Sequence, residues 1–99
     1  MKAEYVRLID LILSKGHRID VDTGGDEPDV RLSNNRAEIL MAIESVDMAE
    51  LEAYEQRSEG MIKGTYWYPV FWAQIIPFGV EPDCTVVDFT DNGYYMEVV

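Results

Sequence analysis

Tyr66, Trp67, Tyr68, Val70, Phe71 and Trp72 stand nearly side by side within an uncharged run of seventeen residues, Gly64 to Val80. Aromatic and β-branched side chains crowd a helix but suit a pleated surface, so this run calls for a strand and for a sheet to hold it. Pro69 has no N–H to give to a ladder, which makes that strand an edge or the carrier of a bulge. The run falls just under the length of a membrane span and contains Pro69, Gln74 and Pro77, so it reads as buried strand rather than bilayer helix. Strict alternation places Trp67, Phe71 and Ala73 inward and Tyr66, Tyr68, Val70 and Trp72 outward. That outward row is an apolar patch needing a covering element, a dimer mate or a partner.

The other elements follow from periodicity. Tyr5, Leu8, Ile9, Ile12 and Leu13 recur at helical spacing over residues 3 to 14, with Gly16 as the stop signal. His17 to Asp22 alternates with Ile19 and Val21 inward, and Val30-Arg31-Leu32 resumes the alternation, so a hairpin across Gly24-Gly25 is expected. Asn35 with Glu38 three residues on signals the start of a second helix, running to about Val46 with Ile39, Leu40, Ile43 and Val46 buried. Residues 48–57 combine helix-forming composition with alternation, and the alternation favours a strand entering a turn at Ser58-Glu59-Gly60. Cys84 to Phe89 and Tyr94 to Val98 flank Asp91-Asn92-Gly93 as a final hairpin. The expected fold is α+β: a small antiparallel sheet with two amphipathic helices packed on one face, forming a single domain over residues 1–99.

Charge narrows function. With 19 Asp and Glu against 8 Lys and Arg, the net charge is −11, which argues against direct nucleic-acid binding through a basic face. One Cys excludes an internal disulfide and fits a reducing cytoplasm. The stretch Leu8 to Leu13 is interrupted by Asp10 and too short for a signal core, so neither export nor membrane attachment is expected. A monomer is expected because association doubles the charge, although the aromatic strand leaves an edge-to-edge homodimer open.

Catalytic and cofactor motifs do not emerge. Asp20-Val21-Asp22-Thr23-Gly24-Gly25-Asp26 matches an EF-hand loop at its first, third and sixth positions, but Gly24 and Arg31 occupy its fifth and twelfth, so a solvated turn is the reading and no metal site is assigned. His17 and Cys84 are the natural nucleophile pair, yet a helix-capping imidazole and a small core thiol explain them without catalysis. Glu97 and Asp88 fall on the wet face of the last hairpin, and nineteen acids make any one carboxylate pair uninformative. Gly24-Gly25 is ringed by acids that repel phosphate. No enzyme activity and no cofactor are expected.

What remains is the distribution of acid. Residues 20–29 hold five acids and no base, and the 36 residues after Lys63 hold five acids and no base. A compact negative surface favours a positive partner, since complementary fields speed association and suppress wrong pairings. The partner-binding residues expected on this basis are Asp20, Asp22, Asp26, Glu27 and Asp29 from the acidic loop and Tyr66, Tyr68 and Trp72 from the aromatic strand. In length, acidity, lone Cys and lack of a catalytic motif the chain resembles the small proteins with which phages and other mobile elements block host defences, including anti-CRISPR and DNA-mimic inhibitors. Asp20 to Glu27 and Val86 to Asn92 are also similar to segments of uncharacterised small phage and bacterial proteins. The resemblance is one of type and transfers no functional residue. It implies a non-enzymatic inhibitor of a basic nuclease or effector complex. An immunity protein or antitoxin fits the same features, as does an enzyme or metal-binding protein whose site forms only in the fold.

Overall fold

The computed structural model describes residues 2–58, 64–91, 93–96 and 99. In chain order the elements are α1 (Glu4–Ser14), β1 (Arg18–Asp22), β2 (Val30–Ser33), α2 (Arg36–Ile43), β3 (Ala49–Arg57), β4 (Tyr66–Ile75), a short 3-10 turn (Pro82–Cys84) and β5 (Val86–Asp91). The strands form one five-stranded antiparallel sheet in the order β2-β1-β3-β4-β5. This is an α+β fold, and residues 49–57 are strand, as their alternation favours.

Register decides which side chains are buried. Ile19 and Val21 pair with Ala53 and Leu51, and these pair with Phe71 and Ala73. All lie on one face and are buried. Tyr5, Leu8, Ile9 and Ile12 of α1 and Ile39 and Ile43 of α2 belong to the same core cluster, an arrangement compatible with both helices lying over that face. Burying these aliphatic side chains contributes about 1.5–3 kcal/mol each before chain entropy is set against it.

The end of α1 and the start of α2 form where the sequence signals them. Gly16 adopts φ 77°, and α1 closes through Gly16 N–H to Leu13 O at 3.0 Å and His17 N–H to Ile12 O at 3.3 Å. Asn35 caps α2 by accepting the Glu38 N–H at 3.2 Å. The reciprocal half of the capping box is absent: Asn35 N–H goes to the Ser33 hydroxyl at 3.0 Å, and Ser33 donates to the Glu38 carboxylate at 3.2 Å. The helix ends at Ile43 rather than Val46, and Leu40 and Val46 are only partly buried.

Three expectations are corrected. First, Ala53 pairs with Phe71 but Tyr54 pairs with Pro69, leaving Val70 as an extra residue in a β-bulge. The bulge reverses the facing of everything before it. Tyr66 and Tyr68 share the side of Phe71, Trp67 falls on the other side with Trp72, and Val70 is buried. Pro69 supplies the physical reason, since a residue with no N–H sits where regular pairing breaks. Second, Tyr94-Tyr95-Met96 is a turn, not a strand. The Asp91 carboxylate accepts the N–H groups of Tyr94, Tyr95 and Met96 at 2.8, 3.1 and 2.8 Å, which removes them from any ladder. Asn92, Glu97 and Val98 lie outside the described residues, as does most of the turn expected at Ser58-Glu59-Gly60. Third, Cys84 is exposed in the 3-10 turn, and the buried residue is Thr85, whose hydroxyl accepts the Tyr5 N–H at 3.0 Å.

Candidate partner-binding surface

The face opposite the core is a lattice of acids and aromatics. Asp20 and Asp22 of β1 stand directly across from Glu52 and Glu50 of β3. Glu52 and Glu50 in turn stand across from Trp72 and Gln74 of β4, which face Thr90 and Asp88 of β5. Directly opposed residues on one sheet face have Cβ atoms about 5 Å apart, and like charges so placed are destabilising. Four carboxylates thus form two adjacent like-charged pairs beside an indole ring.

The expected loop residues divide into those that build the loop and those left to solvent. Asp20 accepts the Leu32 N–H at 2.6 Å and the Tyr54 hydroxyl at 3.2 Å. The first of these bonds serves a bulge in β2, where Leu32 takes φ 43° and the pairing skips from Val21↔Val30 to Ile19↔Ser33. Asp22 accepts the Gly24 N–H at 2.8 Å, and Asp29 accepts both the N–H and the hydroxyl of Thr23. Asp26 and Glu27 are exposed, with Glu27 3.6 Å from Arg31. The loop therefore spends Asp20, Asp22 and Asp29 partly on its own shape.

The aromatic trio does not form one row. Tyr68 is exposed beneath the Arg57 guanidinium, 4.1 Å from the ring centroid, and Tyr66 meets Tyr68 edge to face at 6.5 Å. Both lie on the core side of the sheet. Trp72 lies on the acidic side, where Trp67 is covered by Arg18 at 4.6 Å. The bulge at Val70 therefore separates Trp72 from Tyr66 and Tyr68.

Glu50, Glu52, Asp88, Tyr54 and Trp67 complete the acidic face but were not among the expected partner-binding residues. The signal for Glu50 and Glu52 was present in the alternation Glu50-Leu51-Glu52-Ala53, which puts both glutamates opposite the buried Leu51 and Ala53. The hydroxyl of Tyr54 is held well above the usual phenol range by burial first, then by Glu52 and Asp20. It therefore stays protonated and able to donate.

Two hollows open on this face. One of about 140 Å³ is walled by Asp20, Asp22, Glu50, Glu52, Tyr54 and Trp72, room for a few waters at roughly 30 Å³ each or for one cationic side-chain head. A neighbouring hollow of about 290 Å³ runs between the Asp22 to Gly25 turn and Glu50. A third hollow, about 670 Å³, is a wide saddle at the β4 bulge lined by Arg57, Tyr68, Phe71, Trp72 and Tyr94. It lies where β5, paired with β4 only over Phe71–Ile75, no longer flanks that strand.

No protein family, no curated protein and no solved structure matches this chain.

Among the described residues no three His, Cys, Asp or Glu side chains stand together as a metal ion would require. His17 and Cys84 are engaged apart, the imidazole with the Tyr95 hydroxyl at 2.6 Å and the thiol with Glu81 at 3.8 Å. The expected capping role of His17 is corrected as well: its ring turns toward Tyr95, and burial lowers its proton affinity, so it is neutral at pH 7 and not a cation at a helix end. Among the described residues no helix is long and apolar enough to cross a membrane.

Proposed function

We propose that this protein is a non-enzymatic inhibitor that presents the acidic sheet face to a basic, nucleic-acid-handling protein, in the manner of phage-encoded anti-defence proteins that occupy a nucleic-acid groove. The observation that carries the reading is the pairing of Asp20 with Glu52 and of Asp22 with Glu50. Two like-charged cross-strand pairs work against folding, and a cationic surface laid over them converts repulsion into attraction. Trp72 beside Glu52 adds a flat ring over which an arginine or lysine of the partner can sit. Asp26 and Glu27, exposed at the rim, act as long-range steering charges rather than anchors.

The test uses wild type and the double variant Glu50→Lys/Glu52→Lys, which turns both like pairs into opposite pairs and so spares the fold. Each is immobilised and exposed to a bacterial lysate at low and high salt. The captured proteins are identified, purified and assayed for nucleic-acid binding and cleavage. The expected result is a basic nucleic-acid enzyme that wild type inhibits, that releases at high salt and that the double variant does not hold. A basic toxin released in the same way would make the face an immunity surface. Equal capture and inhibition by wild type and variant would overturn the proposal.

A further inference from the structure

His17 is the only histidine in the chain and stands where α1 hands over to β1, with its side chain 12% exposed. Its Nδ1 lies 2.6 Å from the Tyr95 hydroxyl and its Nε2 faces the Glu55 carboxylate at 3.8 Å. Tyr95 is fully buried, its ring edge-on to Phe71 at 5.1 Å. Burial, followed by Asp91 and Glu55, holds its hydroxyl well above the usual phenol range. The hydroxyl therefore keeps its proton and donates it to Nδ1, leaving the imidazole neutral with its hydrogen on Nε2.

Tyr95 is delivered to this position by the turn that Asp91 gathers. The backbone N–H groups of Tyr94, Tyr95 and Met96 converge on that carboxylate, Lys15 donates to the Tyr94 carbonyl at 2.7 Å, and Arg57 donates to the Tyr94 hydroxyl at 3.0 Å. We propose that His17 is an acid-sensitive latch for this turn: a proton added at Nδ1 takes away the acceptor of the Tyr95 hydroxyl proton and releases Tyr95 and the Tyr94–Met96 turn from the core.

The reasoning is one of hydrogen-bond valence. The neutral imidazole offers one lone pair, at Nδ1, and the Tyr95 proton uses it. Once Nδ1 carries hydrogen, the hydroxyl must turn its own proton elsewhere, and among the described residues it has no second hydrogen-bond partner. A buried donor left unsatisfied disfavours the closed turn. The surrounding charges do not rescue the cation. From the end of α1, Lys15 opposes it. From β3, Glu55 favours it, with Oε1 held by Arg57 at 2.8 Å and Oε2 facing Nε2 at 3.8 Å, but burial outweighs that attraction. From β5, Asp91 is committed to the three N–H groups of the turn. Arg18, next in sequence, lies over Trp67 on the other face.

Burial lowers the proton affinity of His17 in the closed state, whereas in an open state the ring has its ordinary pKa of about 6.5. Below that pH the open form binds more protons, and opening is favoured as pH falls. If the closed form takes up none, the opening equilibrium grows by up to about 30-fold between pH 7.5 and pH 5.0.

Amide hydrogen exchange of Tyr94, Tyr95 and Met96, corrected for intrinsic rates and followed by NMR, measures this opening directly. Wild type is expected to lose protection at these amides by up to that factor while Ile12 and Leu51 keep theirs. His17→Gln, whose amide oxygen accepts the Tyr95 proton and does not titrate, is expected to stay protected. Should the glutamine variant not fold, Tyr95→Phe removes the hydroxyl and keeps the ring, so that burial alone opposes the imidazolium and the pH response of the turn is expected to be smaller than in wild type. Unchanged protection in wild type, an equal loss in either variant, or a loss shared by all amides would overturn the latch.

Discussion

Asp20 shows how a carboxylate on the proposed binding face can also be a structural part. Its two oxygens satisfy the N–H of Leu32, held at positive φ, and the hydroxyl of Tyr54. Replacing Asp20 with Ala leaves the Leu32 N–H without its acceptor, while the Tyr54 hydroxyl keeps Glu52, and a loss of about 1–3 kcal/mol is expected by urea denaturation. Its contribution to binding can therefore not be read from a truncation alone, whereas Asp26 and Glu27 can be removed without touching the fold. Tyr5 carries a different signature. Its hydroxyl donates to Glu44 at 2.8 Å, joining α1 to the end of α2, and burial followed by Glu44 raises its pKa from 10.0 to about 12. The folded state thus holds a proton that the unfolded state gives up. Stability from this group is complete below pH 10 and is lost as pH rises toward about 12, by up to roughly 2 kcal/mol. Tyr5→Phe is expected to flatten that alkaline decline, as followed by thermal melts between pH 8 and pH 11.

At the scale of elements, the β1–β3 pair makes the sharpest prediction. Glu50→Lys replaces repulsion across from Asp22 with attraction, and a gain of about 0.5–1 kcal/mol is expected. For a domain of this size that corresponds to a rise of roughly 2–8 °C in melting temperature. A more stable protein that binds the proposed basic partner less well is the pattern expected where function opposes stability. The same elements show what the sequence made legible. Ile19-Asp20-Val21 and Leu51-Glu52-Ala53 alternate cleanly, and their strands and inward faces could be read because period two survives without interruption. Pro69 announced an irregularity in β4 but not its position relative to Val70, and a single inserted residue exchanges the faces of everything before it. The last segment misled for another reason. Asn92-Gly93 is a strong hairpin signal, but Asp91, one residue earlier, captures three backbone donors, a tertiary arrangement with no short-range pattern to reveal it.

Across the whole molecule, acids outnumber bases by eleven, and the sheet concentrates part of that excess on one face. Self-repulsion of this kind weakens as salt shortens the Debye length from about 30 Å at 0.01 M to about 8 Å at 0.15 M. The melting temperature is therefore expected to rise with sodium chloride over that range, while affinity for a basic partner falls, and calorimetry alongside binding measurements would show the two trends crossing. The bulge at Val70 has one more consequence. By reversing the facing of the strand before it, the bulge brings Trp67 onto the surface that already holds Trp72, and these are the only two tryptophans in the chain. Tryptophan emission, excited at the red edge where the six tyrosines do not absorb, then reports on the acidic face, so a partner docking there as proposed would announce itself without a label.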